Sequence, residues 1–288
     1  VNTFIVAFFG IFAATFLGFL LGIMRLSQNF VLRIFATSYI EVVRNVPLLL
    51  QLFFWYFAVL RTMPNKRGKI EIIPDVIGVN ITGLYMPAPI PAEGLAATGY
   101  AFLIAVLITI GINQFASRRQ LATGKTFPTF WAGLGVLVLL PYIVFKLTGS
   151  PLGWEFPEFK ETGAVLRRGY QQGVGILVIP EMIAVWLALS LYTSAFIAEI
   201  VRAGILAVNK GQTEASLALG LKPSRVLRLV IIPQAMRIII PPLTSQYLNL
   251  TKNSSLAVAI AYPELVSIFA GTALNQVCLL YTSDAADE

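Results

Sequence analysis

Gly211-Gln-Thr-Glu-Ala-Ser-Leu-Ala-Leu-Gly220-Leu-Lys-Pro-Ser-Arg-Val-Leu-Arg-Leu-Val-Ile-Ile-Pro233 is a polar, basic, glycine-punctuated stretch between strongly apolar runs. It predicts two short helices, Gly211 to Leu219 and Pro223 to Ile232, hinged at Gly220. Glycine suits the left-handed position that ends a helix, and proline suits the first turn of the next. Pro233 is expected to end the second helix, because a proline lacks the helical donor and disfavours the helical region before it. A few residues suffice to join two neighbouring helices. A folded hairpin here therefore points to a docking surface for something outside the membrane.

The membrane itself follows from composition. Hydrophobic residues make up 57% of the 288-residue chain and charged residues 12%, against about 25% charge in a soluble domain. Thr3–Met24, Tyr39–Leu60, Ala97–Phe115, Phe130–Leu147 and Ile179–Ile200 approach the roughly 20 apolar residues that cross a bilayer, and Ile238–Ile260 is a less clean sixth run. Helices or closed barrels alone satisfy the backbone in lipid, and these runs are too long for barrel strands. The fold expected is all-α, a polytopic membrane helical bundle. The first run lacks the basic n-region of a signal peptide and reads as a span. Because the chain starts at Val1 directly in an apolar run, a preceding segment is expected.

If the Glu214 hairpin is cytoplasmic, Arg25–Ala36, Ser117–Thr129 and Arg202–Arg237 lie inside, and Arg61–Ala96 and Thr148–Val178 outside. The inner loops hold Arg25, Arg33, Arg118, Arg119, Lys125 and the bases from Arg202 to Arg237. The bases outside (Arg61, Lys66, Arg67, Lys69, Lys160, Arg167, Arg168) are diluted by Glu71, Asp75, Glu93, Glu155, Glu158 and Glu161. The inside is modestly more basic, and the net charge of +7 belongs to this bias rather than to nucleic acid. The outer loops, as in Gly83-Leu-Tyr-Met-Pro-Ala-Pro-Ile-Pro91, favour ordered turns and extended segments. They serve either as connectors or as a small cap.

Catalytic constellations are sparse. The chain has no histidine and one cysteine, Cys278, which excludes a Cys/His metal site, an intrachain disulfide and a histidine-based triad. Gly124-Lys125-Thr126 resembles the end of a phosphate-binding loop, but Arg119 stands where the pattern needs glycine. ATP would have to be bound by a partner. Arg225 and Arg228 on a hairpin suggest DNA recognition only until their tether between membrane spans is considered.

Polar residues within apolar runs are costly and mark candidate function. Arg44 and Asn45 precede Pro47, with Gln51 one turn beyond; Thr193 and Ser194 lie in the fifth run. Gln246, Asn249 and Asn253 share one helix face, which is expected to point to a water-filled path, another subunit or a neighbouring helix. Glu199 and Arg202, three apart, are expected to form a structural ion pair. Gly18 and Gly22 have the spacing that permits close helix approach. Asn80, Asn249 and Asn253 open glycosylation patterns, two of them in or beside an apolar run where modification is not expected.

The hairpin resembles the Glu-Ala-Ala loop of the integral membrane permeases of binding-protein-dependent ABC importers. Glu214-Ala215-Ser216, Gly220, Val230, Ile232 and Pro233 keep that loop's spacing, with Ser216, Val230 and Ile232 as mild departures. Tyr39-Ile-Glu-Val-Val-Arg-Asn-Val-Pro-Leu-Leu-Leu-Gln-Leu52 is similar to the polar amino acid branch of the family. So are Leu189-Ser-Leu-Tyr-Thr-Ser-Ala-Phe-Ile-Ala-Glu-Ile-Val-Arg-Ala-Gly204 and Pro241-Pro-Leu-Thr-Ser-Gln-Tyr-Leu-Asn-Leu-Thr-Lys-Asn-Ser-Ser-Leu256. The long outer loops resemble the general L-amino-acid subgroup.

That resemblance implies a permease subunit in the bacterial inner membrane, working with a second permease, identical or homologous. It implies two cytoplasmic ATPases and a periplasmic amino-acid-binding protein. No cofactor belongs to this chain, since ATP is bound by the partner. Gly211, Glu214, Ala215, Gly220 and Pro233 become the expected coupling loop, with Leu217, Ala218 and Leu221 on Glu214's face. Arg44, Asn45, Gln51, Thr193, Gln246, Asn249 and Asn253 become expected pathway or intersubunit residues. The family pattern has a further span before Val1 and another after Gln276. Residues 1–276 are thus expected to be a permease domain truncated at both ends, and 277–288 a non-native tail. The alternative is an ion-gradient-driven transporter or channel, which calls for carboxylates at mid-membrane; no carboxylate lies well inside a run except Glu41, which is near an end. An integral membrane enzyme is disfavoured by the lack of histidine and of clustered carboxylates.

Overall fold

The computed structural model describes residues 2–92, 94–123, 128–150, 152–160, 169–171, 173–269 and 271. Glu93, Gly124-Lys125-Thr126, Glu161, Arg167, Arg168, Cys278 and the 277–288 tail lie outside the described residues. Among the described residues, five helices are long and apolar enough to cross a membrane, or six if one bent pair counts as a span. The helices group into two compact units.

The first unit is built on α1 (Asn2–Arg25) and α6 (Pro180–Leu206), which pack along their length. A stripe of small residues makes this possible. Ala7, Gly10, Ala14, Gly18 and Gly22 recur at helical spacing on the buried face of α1. A Cβ on Gly18 would lie 2.5 Å from Ile197 Cγ2 and 3.0 Å from the Ser194 carbonyl oxygen. One on Gly22 would lie 2.8 Å from the Ala198 carbonyl oxygen. The glycine pair is thus used for close approach. Polar ties cross the same bundle: the Thr15 and Tyr247 hydroxyls pair at 2.8 Å, and the Tyr39 hydroxyl donates to the Leu191 carbonyl at 3.1 Å.

Two expectations about the second span are corrected. The chain turns back within four residues after α1, not over Arg25–Ala36. Asn29 caps α2 (Phe30–Asn45) by accepting from the Val31 and Leu32 amides, so the helix starts at Phe30. The run Tyr39–Leu60 is likewise not one helix. Pro47 holds Val46 extended (φ −93°, ψ 124°). A second helical piece, α3 (Leu48–Phe53), then continues as a π turn over Phe54–Val59 and a 3-10 turn to Thr62. The two pieces are bent by 103°.

The third correction concerns Pro233. After α7 (Lys210–Ala218), α8 (Pro223–Val226) passes through a π turn, Leu227–Ile231, into α9 (Ile232–Asn253) without a break. Pro233 sits in the first turn of α9 instead of ending a helix. The wider turn before it relieves the ring, whose clash with the carbonyl four residues back would break an α-helical ladder. Pro241 and Pro242 are likewise held inside α9, as membrane helices tolerate. A 3-10 segment, Ser254–Ile260, and α10 (Leu265–Ile268) follow. Glu264, buried, caps α10 through the Ser267 amide.

The second unit holds the helical hairpin of α4 (Leu95–Thr123) and α5 (Thr129–Leu147), and short strands occur in the segments flanking it, some of whose residues belong to the first unit. In chain order the strands are β1 (Ile70–Ile73), β2 (Ile77–Asn80), β3 (Gly83–Met86), β4 (Ala88–Pro91), β5 (Leu152–Glu155), β6 (Phe159–Lys160), β7 (Gly169–Tyr170) and β8 (Ile176–Val178). Among the described residues, the segments that connect the long helices therefore contain short extended strands. β4 and β5 pair antiparallel, Ala88 opposite Glu155 and Pro91 opposite Leu152. The Tyr170 ring stacks on Tyr85 at 4.1 Å, and its hydroxyl occupies the place a side chain on Gly78 would need.

Candidate functional site: a capped helical hairpin at the foot of α6

The hairpin forms because each of its ends is satisfied locally. Asn209 caps α7, its Oδ1 accepting from the Gly211 amide at 2.8 Å. At the other end the Gly220 amide donates to the Leu217 carbonyl at 2.9 Å, and the Leu221 amide to the Ser216 carbonyl at 3.2 Å. These two bonds make a Schellman motif, with Gly220 in the left-handed region at φ 78°. A Cβ on Gly220 would meet nothing within 4 Å, so the residue is required for its backbone angle and not for room. Lys222 then turns extended, and Pro223 opens α8.

The hairpin has a buried inner side. Ser216 is buried and donates to the Gln212 carbonyl at 2.6 Å, and Val226 is buried beneath it on α8. Its outer side exposes Glu214, Ala215, Leu217, Ala218, Leu219 and Gly220. Leu217 is 45% and Leu219 82% exposed, two leucines at the tip of a polar segment. Leu221 departs from the expected face and is half-buried, because the left-handed turn swings it back toward Ser216. Leu219 escaped the sequence argument. The signal for it was its place just before the left-handed glycine, where no neighbouring turn covers a side chain.

A charged cluster joins three helices near their C-terminal ends. Glu199 of α6 pairs with Arg202 at 3.2 Å, as its spacing implies, and also with Arg25 at the end of α1. Arg25 reaches Glu41 of α2 at 3.7 Å. The cluster is partly solvated, so its pairs locate the helices more than they stabilise them.

The other predicted residues are scattered. Gln51 donates to the Val43 carbonyl at 2.8 Å and the Val46 carbonyl at 3.0 Å, closing the open end of α2 at the bend. Arg44 lies over the Phe196 ring at 5.3 Å, while Asn45 is exposed. Thr193 is buried in α6. Gln246 and Asn253 are half-buried and Asn249 exposed along α9, a polar line on a membrane helix.

Comparison with known proteins adds a family. Residues 114–277 match the model of the family described as binding-protein-dependent transport system inner membrane component. The chain is 50% identical over 278 residues to the general L-amino acid transport system permease protein AapQ of Rhizobium johnstonii, covering 96% of this chain and 66% of that one. It is 49% identical over 276 residues to YhdX of Escherichia coli, named as an amino-acid ABC transporter permease, covering 96% and 68%. It is 37% identical to the glutamate/glutamine/aspartate/asparagine transport system permease protein BztB of Rhodobacter capsulatus, covering 88% and 64%. The chain thus spans about two thirds of the length of these relatives.

Proposed function

The chain belongs to the binding-protein-dependent transport system inner membrane component family, and from that premise we propose that it lines the transmembrane path of an ATP-driven amino acid importer. Amino acids as cargo are supported by the names of its relatives. A separate ATPase supplies the energy, a periplasmic binding protein delivers the substrate, and a second permease completes the path.

One observation carries the proposal: a rigidly capped hairpin presents Leu217 and Leu219 outward beside Glu214. Two exposed leucines on an otherwise polar segment suit a groove on a soluble partner. ATP binding that closes the partner would displace the hairpin, and α6, three residues upstream of α7, would move with it. The Arg25–Glu199–Arg202 cluster would carry that displacement to α1 and α2. The path then alternates between two states biased by a partner's ligand. Gln246, Asn249 and Asn253 are proposed to face the path or the second permease.

Gly220→Asp is the test. An aspartate at φ 78° strains the cap and puts a charge at the docking tip. Uptake by the reconstituted complex should be lost while membrane insertion is kept. Wild-type uptake together with wild-type ATPase association would refute the proposal.

A further inference from the structure

We propose that α2 is an interfacial helix: it lies in the plane of the bilayer at the Arg25 end of the first unit, with Val31, Phe35 and Val42 seated at the boundary between lipid headgroups and acyl chains.

Its direction follows from its neighbours. α3 and the turns after it run along α6: Leu48 and Leu52 pack in the core that α6 builds, and the Tyr56 hydroxyl donates at 2.8 Å to Glu181 in the first turn of α6. α2 is bent from that axis by 103°, so it stands close to perpendicular to it. Had α2 turned back along α1, Glu41 would lie about 16 Å up that helix. Glu41 is instead 3.7 Å from Arg25, the last residue of α1, and Ala36 and Ile40 pack with Leu21 and Ala198.

The level of this crossing is the edge of the hydrocarbon. Glu181 and Glu199 stand about 27 Å apart along α6, close to the roughly 30 Å thickness of a bilayer core. No charged residue lies between them, nor in α1 before Arg25. Arg25, Glu41 and Glu199 therefore mark one boundary, and α2 crosses the bundle there.

The sides of α2 match that position. Val31, Phe35 and Val42 recur at helical spacing, each more than half exposed. Tyr39, on the adjoining edge, reaches the Leu191 carbonyl, which lies from Glu199 toward the membrane interior. Arg33, Glu41, Arg44 and Asn45 are exposed on a separate side, which Phe30 and Ile34 interrupt near its start. As a span, α2 would carry those charges through lipid. In the plane it keeps them in water while the apolar stripe sinks about 5–10 Å below the surface. The placement requires only that α1 and α6 cross the membrane, and it holds whichever face is cytoplasmic.

Spin labels on the full chain in phosphatidylcholine vesicles test it. In a Cys278→Ser background, single cysteines replace Val31, Phe35 or Val42, exposed positions whose change leaves the packed side of α2 untouched. Relative accessibility to oxygen and to a water-soluble nickel complex gives the depth of each label. The three depths should agree within about 3 Å and lie about 5–10 Å below the headgroups. Arg33→Cys should report water. Phe16→Cys, Leu20→Cys and Ile23→Cys, exposed on α1, provide the comparison, with depth changing by about 10 Å from Phe16 to Ile23. A difference of about 16 Å between positions 31 and 42 would make α2 a span and overturn the proposal. Labels at 31, 35 and 42 as open to nickel as the one at 33 would overturn it too. So would labels shielded from both probes, which would mean that protein covers the stripe. None of these failures touches the transport proposal, which does not depend on where α2 lies.

Discussion

Gly18→Ala places one methyl group into the α1–α6 contact. The new carbon would lie 2.5 Å from Ile197 Cγ2, 2.6 Å from Ile197 Cβ and 3.0 Å from the Ser194 carbonyl oxygen. Carbon atoms rest at about 3.5–4.0 Å, so the shortfall is about 1 Å. Ile197 is fully buried and the Ser194 oxygen is backbone, so neither neighbour has room to withdraw. The helices must separate instead, and a gap of 0.5–1 Å costs roughly a quarter to a half of each contact's attraction. Overpacking of this kind costs about 1–3 kcal/mol. Replacing a helical glycine by alanine returns about 0.5–1 kcal/mol, leaving a net loss of roughly 1–2 kcal/mol. Gly111→Ala on α4 isolates the second term, because its Cβ meets nothing; it should be neutral or slightly stabilising. Equilibrium unfolding of the two variants in mixed micelles reads the opposite signs. The reasoning fails if Gly18→Ala is as stable as wild type, or if Gly111→Ala loses as much.

Gln51→Leu should destabilise the bent second span by about 1–3 kcal/mol, since it leaves the Val43 and Val46 carbonyls without their donor; the same unfolding assay checks it. At position 220 the order should be Gly, then Asn, then Ala, because asparagine tolerates the left-handed region better. Hydrogen exchange at the Leu221 amide, which closes the Schellman motif, should follow that order. Equal protection in Gly220→Ala and Gly220→Asn would show that the angle is not what selects glycine.

Hydropathy and punctuation exposed much of this architecture. Apolar runs identified the spans, and Gly220 with Pro223 marked the hinge that the Schellman cap realises. Local rules failed where tertiary or neighbouring backbone geometry intervened. Pro233 has the sequence of a helix stop, but a π turn five residues long precedes it and absorbs the ring. Pro47 marks a 103° bend within an apolar run, which hydropathy does not register. Gln51 reads as a polar residue facing a path, yet its amide is spent on two carbonyls at that bend. Arg25 pairs with Glu199 across 174 positions, and Thr15 with Tyr247 across 232, separations no helical spacing rule reaches. Gly18 and Gly22 were visible as a pattern, whereas the partner face on α6 was not.

The central claim is that the hairpin tip touches a separate ATPase. Leu219 at the tip and Leu147 at the end of α5 are almost equally exposed, at 82% and 81%. In a Cys278→Ser background, Leu219→Cys and Leu147→Cys can each carry a photoactivatable crosslinker in the reconstituted complex. The account predicts an adduct with the ATPase from position 219, altered by ATP, and none from position 147. No ATPase adduct from position 219, or the same adduct from both, would contradict it.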